Sequence, residues 1–215
     1  MLFNRSKLET PTEDQALAGR AEQPFHLAER HRVLDTPVVT DESNIPAGFE
    51  VALFGLGCFW GAEEVFWKTS GVWSTSAGYA GGSTPHPSYD EVCSGRTGHT
   101  EAVRVVFDPS KVSYADLVKT FYETHDPTQG MRQGNDVGTQ YRSSIYTLSA
   151  AQDLVARELT TVYDPELTRR GYDTITTEIL PAPAYYYAED VHQQYLAKNP
   201  FGYRCHSATG VPFPA

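Results

Sequence analysis

Of the side chains in this sequence, Cys58 is the one whose surroundings equip it as a nucleophile. An apolar run over residues 51–56 ends in glycine, and the cysteine follows Gly57 at once. Beyond it Phe59, Ala62, Glu63 and Phe66 recur at spacings of three and four, the period of a helix with one apolar face. The spacing predicts a helix to about residue 69, with Cys58 in its first turn. Backbone N–H groups there lack intrahelical partners, and the dipole end is positive, so an anion is favoured. A thiol so placed is expected to have a lowered pKa and to react as thiolate. Gly57 and Gly61 leave space for a strained turn or for a substrate backbone. Phe59 and Trp60 are adjacent and cannot face the same way on a helix, so one should stand beside the thiol. An aromatic wall there suits a substrate with an apolar end bearing sulfur or methyl. The plainer alternative is that Cys58 is a small buried hydrophobe.

A thiolate needs partners, and three polar stretches offer them. In YDEVCSGRTGHTE, residues 89–101, Glu101 opens a strand that continues into Val103, Val105 and Phe107. Its carboxylate therefore stands at the rim of a core, where desolvation raises the pKa and makes it a candidate general acid; a solvated strand edge is the alternative. Cys93 reads as packing. Residues 130–142, GMRQGNDVGTQYR, crowd amides, glycines, Asp136 and Tyr141 before a strand, a composition suited to fixing water and holding a polar substrate atom. Residues 185–203 join a tyrosine cluster to His192, which alone reads more readily as a structural histidine than as a base.

The elements that must position these groups alternate along the chain. Strands are predicted over 51–56, 71–77, 101–107, 143–148 and 174–180, from short apolar or alternating runs. Helices are predicted to about 69 from Cys58, from 113 under a Ser113/Asp116 cap, over 149–163 under Ser149, and over 188–198, with a single helical turn at 89–92. A loop rich in glycine and proline fills 78–88, and residues 126–138 are rich in Gly, Asn, Asp and Gln. Strands mixed with helical crossovers argue for helices packed on a sheet. Residues 1–47, polar and proline-spaced, read as an extension that wraps the domain or stays partly mobile; residues 48–215 form the catalytic domain, its tail over 199–215 carrying Cys205.

A net charge of −10 over 215 residues argues against nucleic acid or an anionic membrane as partner. No apolar run approaches a membrane span, and residues 1–20 lack the apolar segment of a secretory signal, so the cytoplasm is the expected compartment. Three cysteines, Cys58, Cys93 and Cys205, are too few and scattered for a disulfide framework. Histidines 26, 31, 86, 99, 125, 192 and 206 show no metal-ligand spacing, and neither metal nor cofactor is expected.

Five motifs in order, GCFWGAEE at 57–64, GYAGG at 78–82, the Y-x-x-V-C-S-G-x-T-G-H run at 89–99, GMRQGNDVGTQYRS at 130–143 and YYAEDVHQQYL at 186–196, closely resemble the A-type peptide methionine sulfoxide reductases. The resemblance covers residues 50–203. With the pattern above it implies an α+β fold, a two-layer α/β sandwich with a mixed central sheet, a ferredoxin-like core and an irregular C-terminal tail. It implies that Cys58 attacks the sulfoxide sulfur, that Phe59 and Trp60 receive the S-methyl group, and that Glu101 protonates the sulfoxide oxygen. Tyr89 and Tyr141 match the hydroxyls that hold that oxygen, Asp136 a loop residue acting through water, and His192 lies within a family motif. The sulfenic acid left on Cys58 would condense with a nearby thiol, and Cys205 is the one implied. Here the tail departs from the family: an arginine stands between Gly202-Tyr203 and Cys205, and no further cysteine follows. The implied disulfide, Cys58 to Cys205, would be presented to thioredoxin or another dithiol reductant. The expected enzyme is then a monomeric (S)-S-oxide reductase repairing free or protein-bound methionine. Two other readings of the residues are a cysteine hydrolase or acyl transferase, and a redox-sensing module without turnover.

Overall fold

In the computed structural model, residues 5–205 and 207–214 are described; Met1 to Asn4 of the extension, His206 among the scattered histidines, and Ala215 of the tail lie outside them. The elements are β1 (Glu50–Leu56), α1 (Phe59–Trp67), β2 (Val72–Ala80), α2 (Tyr89–Cys93), β3 (Thr100–Phe107), α3 (Tyr114–Glu123), β4 (Arg132–Gln133), β5 (Asp136–Val137), β6 (Ser143–Thr147), α4 (Ala150–Arg169), β7 (Glu178–Pro181), β8 (Tyr185–Tyr187) and α5 (Tyr195–Lys198).

Six strands form one sheet in the order β7-β6-β1-β3-β2-β8, and β4-β5 make a separate ribbon. The inner four, β6-β1-β3-β2, are antiparallel throughout and with α1 and α3 give the ferredoxin-like arrangement. β7 adds in parallel at one edge, β8 antiparallel at the other, so the sheet is mixed. Residues 52–56 of β1 are buried without alternation because both faces of the sheet are covered. On one face Phe54 packs between Phe66 of α1 and Phe121 of α3, with ring centroids 5.1 and 5.5 Å away. Each such fully buried phenylalanine contributes about 1.5–3 kcal/mol of apolar transfer. On the other face Leu53, Ala80, Ala102 and Tyr146 form a smaller cluster against Ala182 and Tyr185.

Capping boxes at Ser88/Glu91 and Ser113/Asp116 open α2 and α3, each satisfying two orphan donors. Several boundaries differ from the sequence reading. β2 runs on through Gly78 to Ala80; a Cβ at Gly78 would lie 2.4 Å from Tyr185 Cζ, so only glycine lets β8 approach. α4 passes Pro165 to reach Arg169, because Tyr163 and Leu167, both fully buried, hold its last turns to the core. The predicted strand 174–180 is reduced to β7, and the helix predicted over 188–198 to α5 alone. Gln194 sits at φ 46°, outside helical space, and Gln193 spends its side-chain amide on the backbone of Ala77 and Ala188.

The extension lies along the domain and, apart from the 3-10 helix Arg5–Leu8 and one isolated bridge between Arg30 and Pro37, is irregular over its described residues. Leu17 N–H donates to Arg96 O, Arg20 forks onto Glu91, and Ala28 N–H reaches Asp190 Oδ1. From residue 199 the described residues form neither helix nor strand, and Phe213 stacks on Tyr163 at 4.9 Å. Among the described residues no helix is long and apolar enough to cross a membrane.

Candidate active site

Gly57 makes the turn from β1 into α1 at φ +94°, and a Cβ there would stand 2.6 Å from the Gln133 side chain. The turn places Cys58 one residue earlier than the spacing predicts: it is the N-cap of α1 and not part of its first turn. Cys58 is 8% exposed. Its thiol pKa is the opposite of the expected one. Burial pushes it well up, the charge of Glu101 adds to this, and the N–H groups of Trp60 and Gly61 pull the other way without winning.

Glu101, in β3 and 1% exposed, accepts the Phe59 N–H on Oε2 at 2.9 Å. The carboxyl is thereby tied to the first residue of the helix that Cys58 caps. Burial raises its pKa to about 8; the Phe59 hydrogen bond lowers it, and the charge of Asp136 adds to the rise. The raised pKa is the direction the sequence reading expects, and at neutral pH it favours the protonated carboxyl, with Oε1 left to carry the proton. A proton on Glu101 also removes the like charge that opposes ionisation of Cys58.

Phe59 and Trp60 do diverge. Phe59 is buried against Tyr79, Tyr89 and His192, with centroids 5.8, 6.3 and 5.3 Å away. Trp60 remains half-buried, stacked on Tyr195 at 3.8 Å, and its Nε1–H donates to His192 Nδ1 at 3.1 Å. Burial lowers the His192 pKa, and its Nδ1 accepts the indole N–H, so the ring is packed into the aromatic cluster. That use of the ring speaks against a cysteine–histidine hydrolase.

Tyr89 opens α2 and lies 4.4 Å from the His192 ring; Tyr141 ends the short 3-10 helix Thr139–Tyr141. Burial, then the charge of Glu101, pushes both phenols up, so both are neutral donors. Asp136 accepts Tyr203 Oη–H on Oδ1 at 3.2 Å, while its buried Oδ2 has no partner among the described residues. Such an oxygen suits an ordered water.

On the other side of Cys58 a cleft of about 270 Å³ is lined by both Cys58 and Cys205. Cys205 donates to Gln133 O at 3.1 Å, and all three cysteines are free thiols. Gln133 thus touches both the Gly57 turn that precedes Cys58 and the second thiol. Sequence reasoning missed Gln133, Tyr195, Tyr79 and Glu189. Glu189 accepts both Tyr79 Oη–H and Tyr89 N–H, at 2.9 and 2.8 Å. Tyr195 could have been found, since it closes the tyrosine-rich stretch only three residues beyond His192.

A buried thiol, a neutral carboxyl tied to its helix and a second thiol sharing its cleft define a cysteine-dependent oxidoreductase on a ferredoxin-like sheet. The family model for peptide methionine sulfoxide reductase matches residues 50–211. The peptide methionine sulfoxide reductase MsrA of Azorhizobium caulinodans is 53% identical over all of this chain and 96% of that protein. Methionine sulfoxide reductase A of Corynebacterium diphtheriae has a solved structure that superposes with a TM-score of 0.85 at 48% identity, over 95% of this chain and 99% of that one. The reduced form of yeast Mxr1 superposes at 0.70 with 34% identity, over 76% and 93%; Mxr1 has also been crystallised in complex with Trx2, a likeness in fold at 20% identity. The chain belongs to the peptide methionine sulfoxide reductases.

Proposed function

We propose that this reductase acts on the S epimer of methionine sulfoxide, free or in polypeptides, with Cys58 as nucleophile and Glu101 as general acid. The observation that carries the reading is the Phe59 N–H bond to Glu101, which sets a protonated carboxyl beside the thiol and under the aromatic wall. Phe59 and Trp60 take the S-methyl group, and Tyr89 and Tyr141 hold the sulfoxide oxygen. Asp136 orders water near that oxygen, and His192 keeps the Trp60 indole in place. Cys58 attacks the sulfur, Glu101 protonates the oxygen, and methionine leaves with Cys58 as the sulfenic acid. Cys205 then displaces that oxygen as water and closes a disulfide, which an external dithiol such as thioredoxin reopens. The complex of yeast Mxr1 with Trx2 supports a thioredoxin-type partner. The electrons come from thiols throughout, and the reaction needs no metal or cofactor. We further take the protein to act as a cytoplasmic monomer, and its charge of −10 supports the reading that it has no nucleic-acid or anionic-membrane partner.

The test is a single turnover of reduced protein on separated S and R epimers of a blocked methionine sulfoxide, with methionine and free thiols counted together. One methionine from the S epimer alone, with two thiols lost, is the expected result. Cys205→Ser should still release one methionine but lose thioredoxin-supported cycling. Methionine from neither epimer would overturn the reading.

A further inference from the structure

Arg204 immediately precedes Cys205 and reaches back to α1. Its Nε donates to Glu64 Oε2 at 2.8 Å and its Nη2 to Oε1 at 3.0 Å, a fork-on-fork pairing that fixes orientation as well as distance. Nη1 donates to Pro200 O at 3.0 Å, so the same guanidinium also gathers the start of the tail around itself. The two side chains are only 27% and 16% exposed, and Arg204 keeps the Glu64 carboxyl ionised, with its pKa down at about 2. Glu64 shares a rigid helix with the Cys58 cap. The pair thus fixes one point of the tail relative to the nucleophile, one residue short of the second thiol.

Cys205 itself rests on the Gln133 carbonyl and must leave it to reach Cys58. We infer that the Glu64–Arg204 ion pair is a latch that positions Cys205, so that the thiol swings about a held neighbour instead of searching from a free tail. The inference rests on the reading of Cys205 as the second thiol. In the step it serves, the Cys205 sulfur attacks the Cys58 sulfenic sulfur, an S–S bond forms, and the S–O bond breaks. The oxygen leaves as water with the thiol hydrogen, and no outside electrons are needed. Neither Glu64 nor Arg204 touches a reacting sulfur; both are positioning residues, and they act by raising the local concentration of the thiol.

The experiment mixes reduced full-length protein with one equivalent of the S epimer of blocked methionine sulfoxide and follows methionine and free thiols in time. Glu64→Gln and Arg204→Gln should each release the first methionine at the wild-type rate and lose the second thiol about fivefold more slowly, the size of a partly shielded ion pair. The reversed pair, Glu64→Arg with Arg204→Glu, should recover at least half of that loss; Lys68, 3.0 Å from Glu64, keeps recovery short of complete. Single variants that lose the second thiol at the wild-type rate, variants that slow both phases alike, or a reversed pair no faster than the singles would each overturn the latch. If the wild-type protein releases methionine yet keeps its second thiol, the Cys205 assignment falls and the latch with it.

Discussion

The two sides of Cys58 are built differently. Toward β3 the site is dense and desolvated: Glu101 is 1% exposed, Phe59 equally so, and His192, Tyr79 and Glu189 interlock behind them. Toward the tail it is a cleft, and Cys205 is held by the Gln133 carbonyl, a long contact to Ser207 Oγ at 3.8 Å and its neighbour's ion pair. Protonating a sulfoxide oxygen rewards a fixed acid in a low-dielectric site, where reorganisation has been spent on folding. Passing oxidation to a second thiol and then to an outside reductant rewards a segment that can leave its seat. On the proposed mechanism, one side is preorganised because its chemistry is charge development, and the other is held at a single anchored neighbour because its thiol has to travel.

The contrast can be broken most severely at the atom both sides share. Cys58→Ser should abolish methionine release and, with it, all thiol loss; measurable turnover would show that the division has been drawn around the wrong sulfur. On the dense side, Glu101→Gln should slow the first methionine by about a hundredfold in single turnover, the usual scale of a positioned acid. It should leave later thiol loss untouched. Since the acid form exists below about 8, the wild-type contribution of Glu101 should fade as pH rises through that value. Stability carries a matching sign. The folded pKa lies above the ordinary 4.5, so between 4.5 and about 8 the unfolded chain binds fewer protons and stability falls as pH rises. Glu101→Gln should flatten part of that fall in urea titrations at pH 5 and pH 8; Glu63, buried and raised to about 7, supplies a share of the same sign that remains. The smallest effect is expected at the wall. His192→Phe strips the Trp60 N–H of its acceptor and should raise KM about three- to tenfold with little change in kcat. A fall in kcat alone would move His192 from the wall to the chemistry.

Much of the dense side was legible in the sequence because its signals are local. Glu101 is followed by Val103, Val105 and Phe107, which mark a core rim, and Ser113 with Asp116 spells out a cap. The thiol's environment was not legible in the same way. Helix position argues for a lowered pKa, whereas burial, which no local pattern reports, outweighs the amides of Trp60 and Gly61. The segment around His192 was misread for a related reason. Its helical spacing is genuine, but Glu63, far away in sequence, accepts the Gln194 N–H at 2.7 Å and holds that residue in a left-handed turn. β8 escaped notice because three tyrosines carry no alternation, and its pairing partner Gly78 reads as a loop residue.

The extension has a consequence in time. Residues 17–32 are made well before their seats: Leu17 and Arg20 wait for Arg96 and Glu91, and Ala28 and Arg32 for Asp190 and Gln194. A chain growing at about 5–20 residues per second leaves these segments without their partners for several seconds or more. A segment made before its partners is among the last to settle.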